Sequence, residues 1–325
     1  MFVLLGNSYA QGLLYAEKFP GKDAGEKIAN CIAALPQSGG VCDARSFSGE
    51  QRSGSGFTVG TAAKPVELLL GAIDLMVEKP IYIQAKSSIA GLPSSQGIGF
   101  YQGATLIRAT NNTNLPVVVE IVGGLAVLQD VTVDGNRKNN PTGGVAIRVN
   151  SANRSNLFRV TAQNASGDGI EIYSQKASES CCARLQQIMS VDNGGSGLVI
   201  RKTGDIFVSL SEFEGNGDHG IEIDGGAGNR IEHSDIGGNR GDGILLHGTR
   251  TLPASQNIIL GNQFGNNYQA DLAIAGWNGG PSSNGNLIAS NEFVGGGLRD
   301  GGKYDSIRVT DSGDNVVANN AFFAG

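Results

Sequence analysis

The chain has 325 residues, of which 50 are glycine and 9 proline, with 40% hydrophobic residues and a formal net charge of −6. Glycine stands at roughly twice its usual share of about 7 per cent, yet without the strict period and proline content of collagen, and the apolar content is too high for a disordered chain. Charges of both signs are interspersed with no basic stripe, which argues against a nucleic-acid partner, and the longest apolar run, Val66 to Val77, is too short for a membrane span and contains Glu67 and Asp74.

At the start, Ser8-Tyr9-Ala10 has the form of a signal-cleavage triplet, but the residues before it carry no positive charge and the apolar stretch is short. A truncated export signal would make the protein secreted or part of the cell envelope; a plain frayed terminus is the other reading. Residues 1–40 read as an N-terminal segment built on one helix. Asp23 suits an N-cap, with Glu26 at capping-box spacing. Ile28, Ile32 and Leu35 fall on one face before Pro36 and Gly39-Gly40 end the helix. Such a helix would cover the open end of a stack of coils. Cys31 and Cys42 flank a short loop and are a disulfide candidate.

Residues 41–325 read as one domain. Short strands divided by Gly, Ser and Asn begin at Val41, with Val66–Leu70, Ile81–Gln84 and Thr105–Arg108 as the first candidates. From Leu125 a repeat is legible. A turn residue precedes an apolar-x-apolar strand at Gly144, Gly169, Gly197, Gly220, Gly243, Asp271 and Ser306, with steps of 25, 28, 23, 23, 28 and 35 residues. An Asn-rich strand alternates with it: Asn229-Arg-Ile231, Asn257-Ile-Ile259, Asn286-Leu-Ile288 and Asn315-Val-Val317. Phe213, Phe264, Phe293 and Phe322 would share one inner column, and Asn193, Asn216 and Asn239 would stack into a hydrogen-bonded ladder. The period is too short for a propeller blade and the segments lack the helices of ankyrin or TPR units. The expected fold is all-β, a right-handed parallel β-helix with a short N-terminal capping helix and Ile170, Ile172, Ile200, Ile221, Ile223 and Ile244 inside. Cys181 and Cys182, adjacent in the chain, read as two thiols on opposite faces of a strand.

The entry Asp23-Ala-Gly-Glu-Lys-Ile28, the run Gly39-Gly-Val-Cys-Asp-Ala-Arg45, and the Gly-Asp-Gly-Ile and Gly-Asp-His-Gly-Ile repeats resemble the pectate-lyase-like superfamily of right-handed β-helix proteins. The resemblance covers nearly the whole chain and speaks to fold. It implies a polysaccharide partner but does not choose among lyases, hydrolases, uronate epimerases and phage tailspikes. The polygalacturonase set of Asn-Thr-Asp, Asp-Asp, Gly-His-Gly and Arg-Ile-Lys is missing, as is the Asp-Pro-His-Glu motif of mannuronan epimerases.

Candidate chemistry follows from alternation, since every second residue of a strand faces the same way and stacked coils lie about 4.8 Å apart. One outward column reads Ala146, Glu171, Val199, Glu222, Leu245, Ala273, Arg308; the next reads Arg148, Tyr173, Arg201, Asp224, His247, Ala275, Thr310. Tyr173 or His247 could act as the base of a lyase, with Arg148 and Arg201 binding substrate carboxylates. The pairs Glu222 with Asp224, or Glu171 with Glu222, suit a glycoside hydrolase, and the three acids together could hold calcium. The same residues also suit a solvated surface whose neighbours contribute only tenths of a kcal/mol, about what exposed pairs do. Asp168 and Asp242 read as turn formers, and His233 as structural. Trp277 lies in an insertion, where it could stack on a sugar or cover a coil edge. The leading expectation is a polysaccharide lyase acting on an acidic, uronate-containing chain. The alternatives are a glycoside hydrolase and a non-catalytic polysaccharide-binding or structural solenoid.

Overall fold

The computed structural model describes residues 12–93, 104–150, 153–174, 181–276, 282–295 and 306–323. Ser8-Tyr9-Ala10 and Trp277 lie outside them. Strands pair in parallel from coil to coil, in one 20-stranded and one 10-stranded sheet. A representative coil runs Arg230–Glu232, Asp235–Gly237, Ile244–His247. The first two strands belong to the wide sheet and the third to the narrow one. In the middle of the stack the two wide-sheet strands merge into single long strands, Val127–Asp134, Asn156–Gln163 and Arg184–Val191.

The interior follows the alternation in the sequence. Val66, Leu68 and Leu70 point in while Glu67 points out, and Ile170, Ile172, Ile200, Ile221, Ile223 and Ile244 are all buried. The expected strand at Thr105 starts at Leu106 instead; Thr105 is buried, its hydroxyl donating to the Gly71 carbonyl. Phe264, Phe293 and Phe322 stack with ring centroids 4.8 and 5.1 Å apart. Ile236 separates Phe213 from that stack, and Phe322 is exposed rather than internal.

The buried asparagines are satisfied along the axis. Asn239 Nδ2 donates to the Phe213 carbonyl at 2.9 Å and to Asn267 Oδ1 at 3.0 Å, while its Oδ1 accepts from both the backbone and side-chain nitrogens of Asn216. Asn193 continues this ladder. A second ladder runs through Asn229, Asn257, Asn286 and Asn315, and a third through Asn262, Asn291 and Asn320.

From Asp130 onward the wide sheet bends at one left-handed residue per coil. Asp130, Arg159, Gln187, Leu210, His233, Gly261, Ser290 and Asn319 follow registered strand positions, and all have φ between 50° and 66°. This left-handed backbone turns each coil and sends the corner side chain outward.

The helix Ala24–Ala34 packs on the first coil, with Ile28, Cys31, Ile32 and Leu35 joined to the common core. Asp23 caps it, Oδ1 accepting from Glu26 N–H at 2.8 Å, but Glu26 returns to Lys22 N–H rather than to Asp23. Its last turn holds no basic residue; Lys64 supplies one, Nζ donating to the carbonyls of Ile32, Ala33 and Leu35. A cation there also suits the negative end of the helix dipole.

Both cysteine pairs are disulfides, Cys31–Cys42 and Cys181–Cys182. The second corrects the expectation of two thiols. The Cα atoms are 3.7 Å apart, below the range of ordinary disulfides, but Cys182 takes a left-handed backbone (φ 69°) that brings both sulfurs to one side.

Two substitutions test this reading. Ile223→Ala should cost about 2–5 kcal/mol, and Asn239→Leu should cost several kcal/mol by leaving the Asn216 amide and Phe213 carbonyl unpaired, at about 1–3 kcal/mol per orphaned group. Chemical denaturation measures both; an unchanged midpoint for either would mean the register is not as described.

Candidate functional site

The narrow sheet carries the residues expected from the sequence. Glu171 registers with Val199 and Val199 with Glu222; Tyr173, Arg201, Asp224 and His247 follow one another on successive coils. Arg148 is displaced from its expected column. It registers with Glu171, and Asn150 takes the place beside Tyr173. The strand Val145–Asn150 is six residues long, so aligning its Gly144-Val-Ala-Ile with Gly169-Ile-Glu-Ile misplaced it by two residues. Ala146, expected outside, is buried, as are Val199 and Ala273.

The charged side chains neutralise one another. Arg148 Nε donates to Glu171 Oε2 at 2.7 Å, and its guanidinium lies 5.9 Å from the Tyr173 ring centre. Arg201 lies among three carboxylates, 3.5 Å from Glu171, 3.7 Å from Asp224 and 3.9 Å from Asp168. His247 Nε2 is 2.9 Å from Glu222 Oε1 and 3.8 Å from Asp224 Oδ1. The hydrogen bond to Glu222 raises the His247 pKa despite burial, with the Asp224 charge adding to it. Burial pushes the Glu222 carboxyl up, but His247 and Arg201 outweigh it and hold the group below its ordinary range. Glu171 therefore sits with the arginines, whereas Glu222 and Asp224 sit with His247; the three acids do not share one calcium-type cluster.

The turn aspartates do more than turn the chain. Asp168 Oδ1 accepts Ser196 N–H and Asp242 Oδ1 accepts Ala270 N–H, each at 2.9 Å, joining one coil to the next. Burial raises both pKa values. Arg308 reaches both oxygens of Asp242 at 3.1 Å, and His219 Nδ1 accepts the Asp242 N–H.

A second constellation lies on the wide sheet and was not expected. The corner side chains form one wall of a groove of about 470 Å³, which includes Asp130, Arg159, His233, Glu212 and Asp235. It adjoins a cavity of about 770 Å³ that adds Glu214 and Asp192. His233 is thus a groove residue, exposed at its corner, and not part of a buried strand. Arg159 is bound to Asp130, NH2 to Oδ2 at 2.7 Å, and among the described residues the acids beyond it have no arginine partner at that distance. Glu212 and Asp235 are register partners on adjacent coils, and Glu212 and Glu214 flank buried Phe213 on one strand. Burial, then the Glu214 charge and the hydrogen bond that protonated Glu212 donates to Glu214, push the Glu212 carboxyl up to about 7. Glu214 and Asp235 are also raised, chiefly by burial. The signal was available: residues on either side of an inward Phe213 and Ile236 must face outward together.

A solenoid with this architecture and these stacked columns defines a class. The family model for the right-handed β-helix region matches residues 145–322, more than half of the chain, and the protein belongs to that family. No sequence among the curated proteins matches it. Among solved structures, the A-module of mannuronan C-5 epimerase AlgE4 from Azotobacter vinelandii is similar, at 14% identity and TM-score 0.53, covering 96% of this chain and 95% of that one. DFA-IIIase from Arthrobacter chlorophenolicus A6 without its lid aligns at 12% identity and TM-score 0.61, covering 97% and 90%. Tailspike protein 2 of the Escherichia coli O157:H7 bacteriophage CAB120 aligns at 14% and 0.61, covering 96% of this chain and 38% of the tailspike. Identities this low establish the common fold.

Arg201 ties three coils together, so Arg201→Ala should lower stability by about 1–3 kcal/mol, more than an exposed ion pair contributes, because it strands charges on partly buried carboxylates. Arg148→Ala, which loses a single carboxylate partner, should cost less. Thermal melting of the two variants side by side checks the order.

Proposed function

We propose that this protein hydrolyses a polysaccharide in the corner groove, with Glu212 as general acid and Asp235 as the base that activates water. The observation that carries the reading is the acid cluster in a concave site: Glu212 is held protonated up to about pH 7 beside two further carboxyls. Glycoside hydrolysis needs this inequality, one carboxyl able to give a proton to the departing oxygen and one able to take a proton from water. The alternative expected from the sequence, elimination on the narrow sheet, is less well supported. Its arginines are engaged by Glu171 and Asp224, and the hydrogen bond to Glu222 raises the His247 pKa, which makes the imidazole a less available base. The groove's own excess of acids favours a neutral polysaccharide over a uronate-rich one. The similar β-helix structures, an epimerase of mannuronan and phage tailspikes among them, support a polysaccharide as partner. The two disulfides support a secreted or cell-envelope location, because such bonds persist in oxidising compartments.

Reducing-end release from a panel of neutral and uronate-containing polysaccharides tests the reaction. Hydrolysis gives new reducing ends without ultraviolet absorbance; products carrying a conjugated double bond would overturn this reading in favour of elimination. Glu212→Gln should lower turnover by about 10²–10⁴-fold, and wild-type kcat/KM should fall as pH rises past the Glu212 pKa.

Stability of the wild type should fall over the same pH range. A carboxyl whose pKa is raised by folding stabilises the protein below its ordinary pKa, and that contribution is lost as pH rises through the folded value, here about 7. Glu212→Gln cannot ionise, so it should melt like wild type at about pH 4 and above it at about pH 8.

A further inference from the structure

We propose that Glu222, Asp224 and His247 form a binding site for a divalent transition-metal ion of the zinc type, on the narrow sheet and independent of the corner groove. Glu222 and Asp224 stand two apart on the strand Ile221–Asp224, so both face outward, while Ile223 between them is buried. The next coil sets His247 in register with Asp224. Three donor atoms, Glu222 Oε1, Asp224 Oδ1 and His247 Nε2, thereby meet within 4.8 Å of one another.

Each carboxylate is held from behind. Glu222 turns its other oxygen to Ser196 Oγ at 3.5 Å, and Asp224 turns its other oxygen to Arg201 NH1 at 3.7 Å. The inner oxygens are left facing the imidazole. Outer partners that orient ligands in this way are a regular part of metal sites. Buried Val199 and half-buried Leu245 are the register neighbours of Glu222 on either side, which gives the cluster apolar flanks. All three ligands come from strands, so the backbone that carries them is fixed by the coil register.

Metal–ligand bonds of about 2.0–2.2 Å place neighbouring ligand atoms about 3.0–3.5 Å apart. The Nε2–Oε1 and Nε2–Oδ1 separations of 2.9 and 3.8 Å bracket that spacing, so small side-chain rotations suffice. The imidazole decides the metal. Calcium takes oxygen ligands at six to eight positions, whereas one nitrogen and two carboxylates suit zinc and leave a position for water.

The test uses the full chain, stripped with a chelator and dialysed. Isothermal titration with zinc chloride should show one equivalent bound, and calcium chloride should show binding at least tenfold weaker. Zinc should raise the wild-type Tm. His247→Gln and Asp224→Asn, each close in shape to the residue replaced, should weaken zinc more than tenfold while keeping the wild-type far-UV spectrum. Glu212→Gln should bind zinc like wild type, which separates this site from the proposed hydrolytic groove. The proposal is overturned if stripped wild type takes up no stoichiometric zinc, if both folded ligand variants bind as wild type does, or if calcium binds as tightly as zinc.

Discussion

Coil-to-coil register places every side chain described above, and inside the solenoid that register is held by asparagine. A buried primary amide has two donors and one strong acceptor to satisfy. Asn216, Asn239 and Asn267 satisfy them by bonding along the axis, each to the coil above or below and to a backbone carbonyl. A slip of one residue would move apolar side chains to the surface and leave a column of amides unpaired in a dry interior. Packing alone would tolerate more: stacked isoleucines and valines are nearly interchangeable. The amides make the correct register much better than its neighbours.

The outer surface inherits that order in two different ways. On the narrow sheet, opposite charges alternate along the axis and largely cancel. On the wide sheet, Glu212, Glu214 and Asp235 lie together with no cation at salt-bridge distance among the described residues, although Arg159 stands in the same groove bound to Asp130. Raised carboxyl pKa values record that the folded protein disfavours this charge. A grouping that weakens the fold at neutral pH and lies in a concave surface is better explained by chemistry than by packing.

The solenoid was legible in the sequence because two independent periods agree: alternation within a strand and the step between coils. Ile170, Ile221 and Ile244 needed nothing more. Arg148 was misplaced because the apolar pattern after Gly144 looks the same in either of two registers, and only the longer pairing with Glu171 separates them. The narrow-sheet residues Tyr173, Arg201, Asp224 and His247 do come together as alternation requires, but the pairing that cancels their charges was not readable, because it depends on rotamers. The groove was missed for a backbone reason. Its wall consists of corner residues as unlike as Asp130, Arg159, Gln187, Leu210 and His233, and what they share is the sign of φ, which no hydrophobic pattern records. The adjacent cysteines failed the distance rule because it describes cysteines that are separated in the chain.

The left-handed corner also sets the alphabet from which the groove wall can be written. Such a backbone is disfavoured for β-branched side chains and for proline, whose φ is fixed on the other side. The corners here hold Asp, Arg, Gln, Leu, His, Gly, Ser and Asn, with no valine, isoleucine, threonine or proline. One corner can therefore be exchanged for another of these types with little effect on the stack, since each projects outward from a bend that already exists. The chemistry of the groove wall can drift by single replacements along this line while the interior stays untouched. The scaffold separates the residues that may vary from those that cannot, and it does so with one dihedral angle per coil.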